Sequence, residues 1–410
     1  MLLVVKIILT IIILNIVVYL YFKHSHPFWS RSPVMHYYTF QLNEGNLFKQ
    51  RDPYNEEVTK LLPNEKWVDI DTNNSTDLLK FSHLLDKSYM YDDEFKYKYN
   101  IEFIKWALNS PYKHFTSLKD IDKKLWSSLL ERDNKIIASI TSRPLLLNIN
   151  NQQCNTFYVD YLCISKENRG QYLAPKMILK VEPAVWAENQ DCRQKTHGEH
   201  YFGEFNMYIF KIEGRQLPFR YICRYSYYYT NIKKLKTQLN SQLNTISEQP
   251  DSGQPGTRQL ELIKLTSGNL DLAYKYFSKK VEIYKVYHKC NLSEFRYIFL
   301  NDIVHCYLLM RGEVIVGFTS FYNCQFVSIT NEDKCCDLFY IFGDDIVELF
   351  ELTIGKIVEN DYKYVFNTNL LDNKQILEVY EFEWLSYCYY HLYNYYAYPV
   401  SPEECALLMP

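Results

Sequence analysis

With 410 residues, 47% of them apolar, the chain exceeds one ordinary domain and can support two cores. A formal net charge of -3 excludes a broad nucleic-acid footprint. The 11 cysteines include no CxxC pair and place Cys335 beside Cys336, which argues against a zinc site or a disulfide framework and for free thiols in a reducing compartment.

Leu2 to Phe22 is almost continuously apolar, interrupted by Lys6 and Asn15. As a helix it rises about 31 Å, enough to cross a bilayer core, and it reads as a membrane anchor over residues 1–23. A cleaved signal peptide is the rival reading, but no small-residue cleavage site follows. Lys23, His24, His26 and Arg31 follow the span, against Lys6 alone before it. The positive-inside rule then makes this a single-pass protein with its folded portion in the cytoplasm. The Asn73 and Asn74 sequons would go unused.

Further on, Phe157, Tyr158, Val159, Tyr161, Leu162, Cys163 and Ile164 have the length and β propensity of an interior strand. The run breaks at Ser165-Lys166-Glu167-Asn168, and Arg169-Gly170-Gln171 opens a helical segment carrying Leu173, Met177 and Ile178. A helix start after a glycine offers unpaired N–H groups and a positive dipole end, which suits a pyrophosphate such as that of coenzyme A. Any strand, turn and helix with one glycine shares the pattern, so alone it marks a fold element as readily as a ligand site.

His197 and His200 have HxxH spacing without HExxH or an implied third ligand, so no metal is expected there. No GxSxG, Walker or GxGxxG pattern occurs. The polar stretch from Gln238 to Arg258 reads as a loop that divides the chain into residues 24–237 and 259–410. Beyond it Leu270 to Tyr284 has a helical period, Tyr297 to Leu300 and Cys306 to Met310 read as strands, and Gly312-Glu313 turns into Val314 to Tyr322. The tyrosine runs at 225–229 and 387–398 suit half-buried strands with cross-strand aromatic pairs better than ligand stacking. Abundant Tyr, Asn, Lys and Ile with 12 glycines is compatible with AT-biased coding, as in a virus or protist.

Residues 157–175 closely resemble the core signature of the eukaryotic N-myristoyltransferases, in which a strand ending Phe-Leu-Cys-Val leads to a basic turn, Arg-Ser-Lys-Arg, and a small apolar-Ala-Pro. Further blocks resemble that family in order. They are His26-Pro27-Phe28-Trp29 with Pro33-Val34, Lys66-Trp67-Val68-Asp69, Leu78 to Leu108, Lys135 to Pro144, Gly317 to Tyr322, Val365-Phe366-Asn367, Asp372-Asn373-Lys374 and Tyr390 to Asn394. The resemblance spans residues 26–410, weakly at 180–220 and 240–260. It implies an α+β fold of two acetyltransferase-like (GNAT) halves sharing a mixed sheet, here preceded by the transmembrane helix. It also implies a monomer, myristoyl-CoA as acyl donor with no cofactor or metal, and proteins with an N-terminal glycine as acceptors.

By the same resemblance the donor is held by Pro27, Phe28, Trp29, Tyr161, Leu162, Cys163, Ile164, Arg169, Gly170, Gln171, Tyr172, Leu173 and Ala174. The backbone amides of Tyr161 and Leu162 form the oxyanion hole, and the terminal carboxylate of Pro410 is the base. Tyr89, Asp92, Asp93, Phe95, Tyr97, Tyr225 and Asn369 face the peptide; without the resemblance Asp92-Asp93 would read as a solvated acidic loop. Departures accompany the match. The Arg-Ser-Lys-Arg turn is Arg169-Gly170-Gln171-Tyr172, which loses two cations. Asp160 stands for an asparagine with a catalytic role, Ile209 loosely for an amine-holding threonine, Tyr227 for a histidine, Asn369 for an acidic residue, and Glu383-Trp384-Leu385-Ser386 for a glycine-rich turn. An enzyme is expected; the alternative is an impaired homologue that binds acyl-CoA or acylated N-termini at a membrane.

Overall fold

The apolar, alternating runs of the sequence form strands, and the computed structural model describes them within residues 2–39, 41–47, 58–89, 95–109, 127–181, 207–246, 260–329 and 331–409. The first half opens with helix α1 (Leu2–Ser25) and continues through β1 (Gly45–Asn46), β2 (Glu65–Asp69), α2 (Ser75–Ser88), β3 (Phe95–Tyr97), α3 (Ile101–Leu108), β4 (Ser127–Arg132), β5 (Lys135–Ile149) and β6 (Gln152–Ile164). Helix α4 begins at residue 173 and is described to residue 181. It is followed by β7 (Met207–Glu213) and β8 (Tyr221–Asn231). Local chemistry fixes the boundaries. Asn74 and Asn100 cap α2 and α3 through side chains that accept from Thr76 N–H and Glu102 N–H. Asp133-Asn134 and Asn150-Asn151 supply the positive φ angles that two-residue hairpins need between β4, β5 and β6.

The second half runs α5 (Ile232–Ile246), β9 (Leu260–Lys264), α6 (Leu270–Val281), β10 (Val286–His288), α7 (Leu292–Phe299), β11 (Val304–Arg311), β12 (Val314–Ser328), β13 (Lys334–Gly343), α8 (Ile346–Glu359), β14 (Tyr364–Thr368), α9 (Lys374–Val379), β15 (Glu383–Tyr393), β16 (Tyr395–Tyr396) and β17 (Cys405–Ala406). Two expectations change. Residues 238–246, read as loop, extend α5, because Ile232, Leu235 and Leu239 recur at helical spacing and pack against the Ile354 and Ile357 face of α8. Tyr297 to Leu300, read as strand, closes α7 instead. A capping box between Asn291 and Glu294 starts that helix, and Phe295 and Phe299 fall one turn apart on its buried face.

A single mixed sheet of 15 strands joins the halves in the order β17-β10-β5-β6-β7-β15-β8-β14-β13-β12-β11-β9, with β4 and β2 beyond β5, and β3 on β12. Strand β15, late in the chain, lies between β7 and β8, so the halves share hydrogen bonds along whole strands. This is the expected α+β architecture on a shared sheet. Helix α4 lays Leu173, Met177 and Ile178 against Phe157, Val159 and Phe210 of the sheet.

One buried ionic cluster fixes α4 in place. The Glu65 carboxylate, fully buried, accepts from Lys176 Nζ at 2.6 Å and Arg132 Nη2 at 2.7 Å. Arg132 reaches on to Asn168 Oδ1 at 3.0 Å and Gln171 Oε1 at 2.7 Å, tying β4 to the turn after β6. Burial alone would raise the Glu65 pKa, but the Leu62 amide, Lys176 and Arg132 outweigh it and hold it at about 2. Removing one partner of a buried pair strands the others, so Glu65→Gln should destabilise the fold by about 3 kcal/mol at neutral pH in chemical denaturation. A depressed carboxylate pKa stabilises above the unfolded value and loses that stabilisation on acidification. The difference between parent and variant should therefore shrink as pH falls from about 4.5 towards about 2.

Candidate active site

Strands β6 and β7 pair in parallel from Thr156 and Met207 to Val159 and Phe210, and then part. A groove of about 930 Å³ opens in the wedge, walled by Leu162, Cys163 and Ile164 on one side and Phe210 to Glu213 on the other. Of the residues expected to hold the donor, Pro27, Phe28, Trp29, Arg169, Gly170, Tyr172, Leu173 and Ala174 also line it. Tyr161 and Gln171 are outside its lining.

Tyr161 marks a break in the β6 ladder. Between Asp160 and Cys163, β6 carries one residue more than β5 opposite, and Tyr161 takes φ 48° at that bulge. Ser139 Oγ donates to Tyr161 O at 2.8 Å and Thr141 Oγ1 to Asp160 O at 3.1 Å, while the ring meets Phe81 edge-on at 5.5 Å. The Tyr161 N–H donates to Asp160 Oδ1 at 2.7 Å. Burial raises the Asp160 pKa, opposed by that amide, Lys211, Arg143 and the Tyr89 hydroxyl.

The turn after β6 departs from its sequence reading. Helix α4 starts at residue 173, four residues later than expected, because Gly170 (φ 80°) and Tyr172 (φ 62°) hold left-handed backbone. The Arg169 guanidinium donates to Ser88 O at 2.5 Å and Ile164 O at 3.4 Å, so it clamps the end of α2 onto the strand. Gln171 braces Arg132.

Beside the groove lies a smaller polar cleft of about 20 Å³, with Lys211, Tyr225, Tyr227, Tyr322, Asp337, Leu408 and Met409 in its wall. Lys211 lines both spaces. Asp337 Oδ2 accepts from Tyr227 at 2.7 Å and Tyr322 at 3.1 Å. Burial pushes the Asp337 pKa up to about 6 despite the Tyr227 hydrogen bond, Lys211 and Tyr322. Burial works against charge on Lys211 too, yet Cys388, Glu213, Asp337 and Asp160 raise its pKa, so it is an ammonium at neutral pH.

Of the residues expected to face a peptide, Tyr89 lines the groove and Tyr225 the cleft, where its ring stacks on Tyr390 at 5.3 Å. Phe95 is core, its ring 5.0 Å from Tyr229 and 5.1 Å from Phe366. Asn369 is a backbone brace that accepts from Ser226 N–H at 2.7 Å. Asp92, Asp93, Pro410, His197 and His200, with the side chain of Tyr97, lie outside the described residues. The tail is described to Met409. Strand β17 pairs with β10, and the Tyr390 hydroxyl donates to Leu407 O at 2.7 Å. Among the described residues no group of three His, Cys, Asp or Glu is placed to hold a metal ion.

Residues 47–190 match the family described as "Myristoyl-CoA:protein N-myristoyltransferase, N-terminal domain". Over those residues the chain is a domain of the N-myristoyltransferase family. It is 25% identical to the glycylpeptide N-tetradecanoyltransferase of Saccharomyces cerevisiae over 337 residues, covering 77% of this chain and 68% of that one. The Drosophila melanogaster enzyme of the same name is 24% identical, covering 93% of this chain and 80% of its own length. The Aspergillus fumigatus relative is 31% identical, but the match spans 38% of this chain and 31% of that protein. In structure, Saccharomyces cerevisiae N-myristoyltransferase with bound myristoyl-CoA superposes with TM-score 0.75 at 19% identity, covering 94% of this chain and 95% of that one.

Ile209, loosely assigned to an amine-holding position, is fully buried in the core. Lys211, two residues along the same face of β7, is the side chain that reaches the site. It and Asp337 were missed, although each is a charge inside an apolar strand, and β7 places Lys211 and Glu213 on one face. The coupling is testable. Lys211→Met should push the Asp337 titration above about 6, by about one unit or more, as followed by NMR of labelled aspartate carboxyls.

Proposed function

We propose that this chain transfers a myristoyl group from myristoyl-CoA to the N-terminal glycine amine of proteins by direct attack on the thioester. The observation that carries the reading is that groove and polar cleft meet at Lys211, which lines both. The relatives named glycylpeptide N-tetradecanoyltransferase and the solved relative with bound myristoyl-CoA support it, and favour an enzyme over an impaired binder.

A peptide amine of pKa about 8 must lose a proton as it attacks. The α-carboxylate of Pro410 is the proposed base. The strapped strand β17 and the buried Leu408 and Met409 support this, since they carry the chain into the cleft wall one residue before its end. The amides of Tyr161 and Leu162 are the proposed oxyanion hole, worth about 3 kcal/mol when preorganised. The Tyr161 N–H donates to Asp160 Oδ1 at 2.7 Å, so Asp160 must release it before that amide can receive an oxyanion. The acceptor passes Tyr89, Asp92, Asp93, Tyr97 and Tyr225, with Phe95 and Asn369 as supports.

Helix α1 is read as a single-pass anchor with the catalytic body, a monomer, on the cytoplasmic side. Its apolar window has mean hydropathy 2.8 and is 0% buried.

Appending one residue after Pro410 tests the base. The extension moves the carboxylate about 3.5 Å, beyond hydrogen-bond reach of the amine, so transfer should fall by about a hundredfold or more while calorimetric binding of myristoyl-CoA is unchanged. Turnover at the parent rate would place the base elsewhere, with Asp160 the next candidate.

A further inference from the structure

The end of α1 and the rim of the acyl groove are one continuous piece of backbone. His26 N–H donates to Phe22 O at 2.8 Å and Ser30 N–H to His26 O at 2.9 Å, so the helical path runs into the turn Trp29–Arg31 without a linker. Ser25, at the last position of the helix, lines the groove, as do His26 and Pro27. An aromatic clamp fixes the angle. Phe22 is buried, 4.9 Å from His36 and 5.4 Å from Tyr38, and Tyr19 lies 5.5 Å from Tyr38 one turn earlier. His36 stacks on Tyr38 at 4.8 Å. Beside the clamp, the exposed Tyr37 accepts a hydrogen bond from Gln216, which sits between the groove-lining Arg215 and Leu217.

Beyond the clamp none of the described residues covers the helix. The large apolar side chains from Leu3 to Tyr21 are exposed. A bare apolar helix of 24 residues is about 36 Å long, which matches a bilayer core of about 30 Å plus part of one interface. Charge and aromatic placement choose the level of its end. Tyr19 and Tyr21 fall where an interfacial aromatic belt belongs, and Lys23, His24 and Arg31 where anionic headgroups begin. Ser25, next after His24, is already groove wall.

We propose that the groove opens at the headgroup level of the bilayer, with α1 and its aromatic clamp fixing the mouth there, so that long-chain acyl-CoA is taken from the membrane surface. The inference rests on the anchor and acyl-donor readings above. Its chemistry is that of the donor. The acyl tail dissolves in the bilayer while the anionic nucleotide stays at the interface, and a mouth held at that depth accepts the tail without passing it through water.

The test uses the full chain in phosphatidylcholine–phosphatidylserine vesicles carrying a headgroup-level quencher lipid. The ten described cysteines are buried, so in a Cys192→Ser background a fluorophore is placed at Arg215→Cys, on the groove wall, or at Glu313→Cys, in the β11–β12 turn near the far edge of the sheet. Strong quenching at 215 and none at 313 is expected. A flexible Gly-Ser insertion of about ten residues between Lys23 and His24 should leave the chain floating with the vesicles, yet bring quenching at 215 down to the level at 313. Equal quenching at the two sites, no quenching at 215, or quenching that survives the insertion overturns the proposal. A chain that does not float with vesicles overturns the anchor reading and the proposal with it. Failure of the unlabelled parent to bind myristoyl-CoA overturns the donor reading alone and leaves the depth measurement standing.

Discussion

The parting of β6 from β7 after Val159 is the constraint on which the site depends. A parallel pair that stays zipped has no room between its strands; one that opens leaves backbone amides to be satisfied by something else. The bulge at Tyr161 turns that liability into a site. A tyrosine at φ 48° costs about 1 to 3 kcal/mol and persists only where its surroundings over-determine it. Here two hydroxyls, Ser139 and Thr141, hold the carbonyls on either side of the bulged peptide, and the Tyr161 ring is locked among Phe81, Tyr89 and Tyr99. The Glu65 cluster adds the second support, since it fastens both the turn after β6 and the first turn of α4 to β2 and β4. The groove is therefore preformed rather than assembled by its ligand.

Charge decides what happens at the inner end of that groove. Lys211 is an ammonium facing the carboxylates of Asp160, Asp337 and Glu213, in surroundings where each interaction is stronger than in water. The two tyrosines on Asp337 oppose the rise in its pKa that burial causes, and the Tyr161 amide opposes the same rise at Asp160. The tail meets this cluster at a fixed height, because the Tyr340 and Tyr390 hydroxyls hold the carbonyls of Ala406 and Leu407.

Most of the groove was legible in the sequence. An apolar run, a polar turn and a glycine before a helix specify a strand that ends where a ligand can approach, and the spacing of Leu173, Met177 and Ile178 gives the buried face of α4. Less of the polar cleft was legible, because its residues come from strands far apart in the chain. Lys211, Tyr227 and Asp337 meet only through the order of the sheet, in which β15 from the end of the chain lies between β7 and β8. Phe95 and Asn369 have side chains that suit either a binding or a structural task, and only packing shows that one fills the core and the other braces Ser226. The side chain of Arg169 looked like a phosphate ligand. Its use as a clamp on Ser88 depends on α2 ending beside the turn, which no local pattern encodes.

The central claim is that groove and cleft together perform acyl transfer to an N-terminal glycine. A turnover assay tests it most directly, with the full chain in vesicles, myristoyl-CoA as donor, and a panel of peptides that differ only in having Gly, Ala or an acetylated Gly at the first position. The account predicts release of coenzyme A matched by Nα-myristoyl product for the free glycine peptides alone. Saturable binding of myristoyl-CoA with no product from any glycine peptide, or equal transfer to the acetylated ones, would contradict it.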